Sequence, residues 1–238
     1  AVETPVLLTS EGFSPLFSMV VPPAMTGEKM VRKESFWSES MGKEVLNPTL
    51  SLYDDGLLNG GMSSGSRDAE GVPRRRQTLV ENGTLSNMLW STRDAAQQVA
   101  EGRIEEAFST GSASSGGHQS PPSTGCTELF LTSSQPSMTM EQLLETMGDG
   151  YIVNSVMGAH TANPSSGDFS VTTSAILKVE NGEIIGALKQ AGLSGNLAKS
   201  LKGKVILGDD VRRQGSYSSG SMHLPDVLLM DGLRVNPA

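Results

Sequence analysis

Residues 158–186, GAHTANPSSGDFSVTTSAILKVENGEIIG, decide the fold. From Val171 to Val179 the side chains alternate, with Thr173, Ala175, Leu177 and Val179 on one face and Thr172, Ser174, Ile176 and Lys178 on the other, the period of a half-buried strand. Asn181-Gly182 then reverses the chain, because a two-residue hairpin loop needs positive φ at both central positions and these residues tolerate it best. A polar loop feeds the hairpin. His160, Asn163, Asp168 and Ser170 crowd its entrance, and polar groups on a loop held by a rigid sheet are candidates for substrate or subunit contacts. The same residues are also ordinary turn formers.

Outward from this hairpin the pattern repeats. Val72 to Glu81, Asn82-Gly83 and Thr84 to Trp90 make a second hairpin, and Val-Glu-Asn-Gly stands at both turns, at 80–83 and 179–182. Further strands are expected at Pro5–Thr9, Thr49–Tyr53, Thr127–Leu131, Tyr151–Val156, Val205–Leu207 and Asp226–Met230. The clearest helix is Thr139–Met147, where Met140, Leu143, Leu144 and Met147 recur at helical spacing and Thr139 with Gln142 forms a capping box. Thr92–Ala100 is a second helix, with Thr92 as its cap, and Ser194–Leu201 gives a short helical turn. A short helix after Ser10 fits only with Pro15 in its first turn, and Pro22-Pro23 ends it. The glycine- and serine-rich stretch after Asp55 and the low-complexity run Ser109–Gly125 have little to pack, so both are expected to be exposed, the second mobile unless something covers it.

A chain of 238 residues buries enough apolar surface to fold unaided, and one domain over 1–238 is the preferred reading. Hydrophobic content of 37% with 5% aromatic residues, 27 glycines and 12 prolines implies many short elements joined by turns. The expected class is α+β, mainly β, with antiparallel sheets built from hairpins, barrel- or sandwich-like, and a few short helices.

A net charge of −8 argues against a nucleic-acid surface, which needs a basic face. The one dense basic run, Arg74-Arg75-Arg76, reads as a solvated strand edge or a partner contact. With a single cysteine, Cys126, no intrachain disulfide forms. No signal peptide or apolar span of membrane length is recognisable, so a cytoplasmic protein without membrane contact is expected.

Catalytic patterns are sparse. His118, His160 and His223 are scattered, none with a histidine one helical turn away, so a zinc site would require folding to gather His160, His223 and Cys126. Gly61-Met62-Ser63-Ser64-Gly65 satisfies G-x-S-x-G, but SGSRDAEGVP follows Ser63 where a nucleophile elbow needs a helix. Phosphate-binding glycine motifs are absent. No catalytic residue and no metal ligand is assigned.

Several separated motifs carry a resemblance. The order G-x-x-x-x-N-P-x-x-G-D-F-S from Gly158, then Glu180-Asn181-Gly182-Glu183-Ile184, then Gly195-Asn196-Leu197, resembles the C-terminal domain of the TldD/PmbA family. Asp54-Asp55-Gly56, Asp68-Ala69-Glu70-Gly71-Val72-Pro73 and Glu81-Asn82-Gly83-Thr84-Leu85 resemble that family's earlier motifs in the same order, and add Asp68 and Glu70 to the contact candidates. Family members are about twice this length, so the chain looks like a C-terminal half without the N-terminal region. In metal-bearing members the resemblance implies an H-E-x-x-x-H helix in that region and a cysteine in a late loop, here Gly208–Pro225, where none stands. That departure resembles the PmbA (TldE) branch, the zinc-free partner in a two-subunit metallopeptidase. The resemblance therefore implies a TldD-like partner that carries the zinc, or a homodimer. It also implies unfolded or extended peptide as substrate, a role in peptide maturation, and the family's older description as a modulator of DNA gyrase. The competing expectation is a non-enzymatic, self-associating scaffold that regulates a partner.

Overall fold

The computed structural model describes residues 3–115, 117, 119–215 and 220–237. The larger of its two main sheets has eight strands. It runs β12 (Val205–Leu207), β15 (Val227–Leu229), β1 (Val6–Leu8), β8 (Gly150–Met157), β9 (Asp168–Glu180), β11 (Ala191–Asn196) and β16 (Leu233–Pro237), with β10 (Glu183–Leu188) paired to the far end of β9. The second sheet has six, ordered β13 (Arg212–Gly215), β14 (Ser221–Leu224), β7 (Glu128–Ser133), β2 (Leu50–Asp55), β3 (Arg76–Glu81) and β4 (Thr84–Leu85). β5 (Ala113–Ser114) and β6 (Ser123–Thr124) pair apart from both.

The expected α+β, mainly β class is what the chain adopts, and neither main sheet closes into a barrel. Hairpins account for much of the pairing, but β1 runs parallel to β8 and β14 parallel to β7, so both sheets are mixed. These parallel pairs join segments more than 90 residues apart, which no local turn signal reveals.

Both Asn-Gly turns form as expected, with φ of 47° and 79° at Asn82 and Gly83 and of 52° and 78° at Asn181 and Gly182. β9 is longer than its alternation suggests. An extra residue in β8 near Asn154 and another in β9 near Ser174 shift the register, so the buried set changes phase. Phe169, Val171 and Thr173 are buried, then Ile176 joins the main core while Ala175 is exposed, and Val179 packs in a second cluster with Leu7, Leu143, Met147, Ile152 and Leu228.

The first helix is α1 (Ser10–Ala24), and it corrects the expectation of a short element. Pro15 lies beyond its first turn, and Pro22 and Pro23 lie inside its end. Each proline removes one backbone bond, and burial of Phe13, Leu16, Phe17, Val20, Val21 and Ala24 in a core drawn from both sheets offsets the loss. Thr9 caps the helix by accepting a bond from the Gly12 amide. A short helix α2 (Gly27–Val31) follows, which its polar sequence hid. α3 (Thr92–Ala100) matches the expected span, but Ser91, not Thr92, caps it. α4 (Met140–Met147) carries the capping box of Thr139 and Gln142, and α5 (Leu197–Lys202) is capped by Asn196. No helix among the described residues is long and apolar enough to cross a membrane.

Candidate functional site

The polar loop before β9 folds onto itself. The Asn163 side chain accepts the Ser165 amide at 2.9 Å, and its backbone N–H donates to the Asp168 carbonyl at 2.8 Å. Asp168 accepts the Ser166 hydroxyl at 2.6 Å and the Asn196 amide nitrogen at 2.7 Å, and these two bonds hold its carboxyl below the usual carboxylate range. Asn196 also donates to the Ser166 carbonyl while capping α5. Asn163, Asp168 and Asn196 thus knot the loop to the next strand and helix. His160 is exposed on a single 3₁₀ turn, Ala159–Thr161, and Ser170 is exposed opposite Ser194.

Asp68 and Glu70 are equally occupied. Asp68 is buried and accepts the amides of Glu70, Val72 and Ala113 at 2.9, 2.9 and 3.0 Å. Glu70 accepts the first two amides of α3, from Thr92 at 2.6 Å and Arg93 at 2.9 Å, an anion at a helix N-terminus. The pair stands beside the six-stranded sheet and the loop group beside the eight-stranded one, with no hydrogen bond between the two groups among the described residues.

Arg75 and Arg76 of the arginine run are exposed, as a solvated edge requires, and all three arginines are also engaged. Arg74 donates to the Thr127 hydroxyl and the Arg67 carbonyl, Arg75 donates to the carbonyls of Ser109 and Thr110, and the Arg76 guanidinium lies 4.1 Å over the Tyr53 ring. Arg75 and its neighbours thereby anchor the serine-rich run. There Thr110, Ser112 and Ala113 are buried and β5 pairs with β6. Residues 110–113 thus depart from the expectation of an unpacked segment, because hydroxyls and backbone do the packing there, while the described residues 115, 117, 119–121 and 123 are exposed as expected. His118 lies outside the described residues.

At the end of the six-stranded sheet stands a cluster that the sequence did not reveal. Glu128 is fully buried, and its two oxygens accept the Ser63 amide at 2.8 Å and meet His223 Nε2 at 2.9 Å. His223 stacks on Phe130 with ring centroids 4.0 Å apart, and Phe130 stacks on Tyr53 at 4.7 Å. Register explains the column: Tyr53 and His223 each lie directly opposite Phe130 on neighbouring strands. On the other side of the same strands Asp54 is buried and accepts the amides of Thr127 and Glu128 at 2.7 and 2.9 Å. Burial lifts its carboxyl to about 6 despite those two bonds and the nearby Arg74 charge. Burial and the Asp54 charge also push the Cys126 thiol well up. A polar cleft of about 550 Å³ lined by Ser63, Arg67, Asp68, Arg74 and Thr127 opens beside this cluster.

This arrangement orients a histidine through Glu128 and Phe130. After Ser63 no helix forms until Thr92, so the G-x-S-x-G match is a loop. The described residues also do not gather a fit for a zinc ion. The only cysteine is a core side chain held as a thiol, His223 is engaged by Glu128, and His160 stands apart on its turn. Among the described residues no three His, Cys, Asp or Glu side chains come together as ligands.

Two mixed sheets around a proline-bearing helix, with acidic side chains spent on knotting loops, define a class of protein: a mainly β domain of the α+β class. Its kinship is specific. The family model described as the PmbA/TldA metallopeptidase C-terminal domain matches residues 2–236, and the chain belongs to that family. It is 28% identical over 225 residues to the metalloprotease PmbA of Escherichia coli O157:H7, covering 94% of this chain and 45% of that protein. The crystal structure of TldE from Thermococcus kodakarensis superposes with a TM-score of 0.84 at 23% identity, over 98% of this chain and 50% of that one. A Thermotoga maritima structure, described as a candidate modulator of a DNA gyrase, gives 0.81 at 29% identity, again over 98% and 50%. The chain spans about half the length of the curated relatives it matches.

Proposed function

We propose that this chain is the C-terminal part of a zinc-free, PmbA/TldE-like subunit that pairs with a zinc-bearing TldD-like subunit to cleave unfolded or extended peptides. The observation that carries this reading is the match of residues 2–236 to the PmbA/TldA metallopeptidase C-terminal domain, and the packing of the sole cysteine, Cys126, into the apolar core is consistent with it. The reading assigns the metal, its bound water and the general base to the partner. This chain walls the chamber and supplies the subunit interface, with zinc as the partner's cofactor and the cytoplasm as the expected compartment. His160, Asn163, Asp168 and Ser170 are all exposed beside the eight-stranded sheet; His160 and Ser170 are the direct contact candidates, and Asn163, Asp168, Asp68 and Glu70 hold the loops that frame the contacts.

The test is co-expression with a zinc-bearing TldD-like protein. A stable complex that cleaves an unstructured peptide, with zinc confined to the partner, supports the proposal. Stoichiometric zinc on this chain alone would overturn it. The scaffold alternative draws on the outer strand β10, where Ile184 and Ile185 are each about half exposed, at 49% and 51%. A metal-free homodimer that neither pairs nor promotes cleavage would favour that second reading.

A further inference from the structure

β12 is the outermost strand of the eight-stranded sheet, and its phase can be read from its neighbours. The Met230 amide donates to the Lys204 carbonyl and the Gly208 amide to the Asp226 carbonyl. In an antiparallel pair bonded and non-bonded positions alternate, so Ile206 faces β15 with its backbone groups while those of Val205 and Leu207 point away from the sheet. The Leu207 carbonyl is met by the Met138 amide at 3.0 Å. The Val205 N–H and C=O and the Leu207 N–H meet no hydrogen-bonding group among the described residues.

Those three groups open onto a groove of about 450 Å³ between β12 and the segment 133–138. Pro136, Met138, Val205, Ile206 and Leu207 give it mostly apolar walls, and the ammonium of Lys204, which makes no ion pair among the described residues, stands at the end where β12 begins. Unpaired backbone groups along a strand edge are a ready template for another strand. We propose that this groove takes an extended peptide with a free C-terminal carboxylate, added antiparallel to β12 as an outer strand. The penultimate residue of the peptide exchanges two backbone bonds with Val205, the carbonyl two residues upstream accepts from Leu207, and the chain end reaches the Lys204 ammonium. Antiparallel polarity follows from that charge, because a parallel strand would bring its amino terminus to Lys204. The proposal rests on the peptide-handling reading above and gives it a location and a polarity.

The test uses acetyl-Ala-Val-Ala as the free acid, titrated into the ¹⁵N-labelled chain. The amide resonances of Val205 and Leu207 are expected to move most. N-methylation of the peptide valine removes its donor to the Val205 carbonyl and is expected to weaken binding about tenfold, the worth of one such bond. The C-terminal amide, or Lys204→Ala in the protein, is expected to weaken it a few-fold, about what an exposed ion pair contributes. Undiminished binding of the N-methylated peptide, shifts confined to other strands, or no binding at millimolar peptide would each overturn the proposal. None of these results would touch zinc-dependent pairing with a TldD-like subunit, so the two readings fail separately.

Discussion

Asp168 and Asp54 are both aspartates that accept two hydrogen bonds, yet their carboxyls are displaced in opposite directions. Asp168 sits in an exposed knot, where the Ser166 and Asn196 donors favour the charged form and lower its range. Asp54 sits at the end of the six-stranded sheet, where burial outweighs two backbone donors and lifts it to about 6. Solvent access therefore decides the sign, and the number of bonds does not. The loop before β9 is a solvated clasp, and the sheet end is a buried polar cluster whose members depend on one another.

The largest expected effect lies in the buried cluster. Glu128→Ala leaves His223 and the Ser63 amide without their shared acceptor and is expected to cost about 2 to 4 kcal/mol, since each buried polar group left unsatisfied costs about 1 to 3 kcal/mol. Urea unfolding measures it, and Glu128→Gln, which keeps an acceptor for Ser63, should lose less. A smaller loss than that of any variant in the β9 loop would break the comparison.

Next comes the pH dependence of Asp54. Its folded value is raised above the ordinary 3.8, so the native state holds a proton that the unfolded chain has released. Stability is thus fully present below pH ~4, falls as pH rises towards about 6, and levels off above, by roughly 3 kcal/mol in total. Asp54→Asn keeps an oxygen for the amides of Thr127 and Glu128 and should flatten that part of the profile. Asp168 has the opposite sign: its contribution is present above the ordinary carboxylate range and is lost as pH falls through its lowered value.

The smallest effect belongs to the clasp. Asn196→Ala removes the α5 cap and two bonds to the loop, and thermal unfolding should report about 1 to 2 kcal/mol. It should also relax the downward displacement of Asp168, visible as a higher carboxyl titration by NMR. A change in Asn196→Ala that left the Asp168 titration untouched would mean that Ser166 alone sets it.

Much of the framework is legible in the residues. Both Asn-Gly turns, the α4 capping box and the position of α3 follow from local chemistry, because turns and caps are made by neighbours a few residues apart. Misreadings fall where distant packing outweighs local preference. Pro15 is tolerated inside α1 because six large or buried side chains of that helix enter the core, and Thr110 and Ala113 of the serine-rich run are held because Arg75, Trp90 and Asp68 supply their partners. The contact candidates were legible as polar motif residues. That Asn163, Asp68 and Glu70 are spent on backbone amides and Asp168 on the Ser166 and Asn196 side chains was not, since a motif shows which residues recur together and not what they touch.

By itself the sequence determined the hairpins, the β-rich class and the family motifs, all of which depend on side-chain period and on residues with special φ. Only the tertiary structure decided the Glu128–His223 pair, the aromatic column and the unpaired edge of β12. Each of these depends on which strands become neighbours. Strand neighbours are chosen by the burial of whole faces across 90 residues or more of chain, and no local spacing encodes that choice.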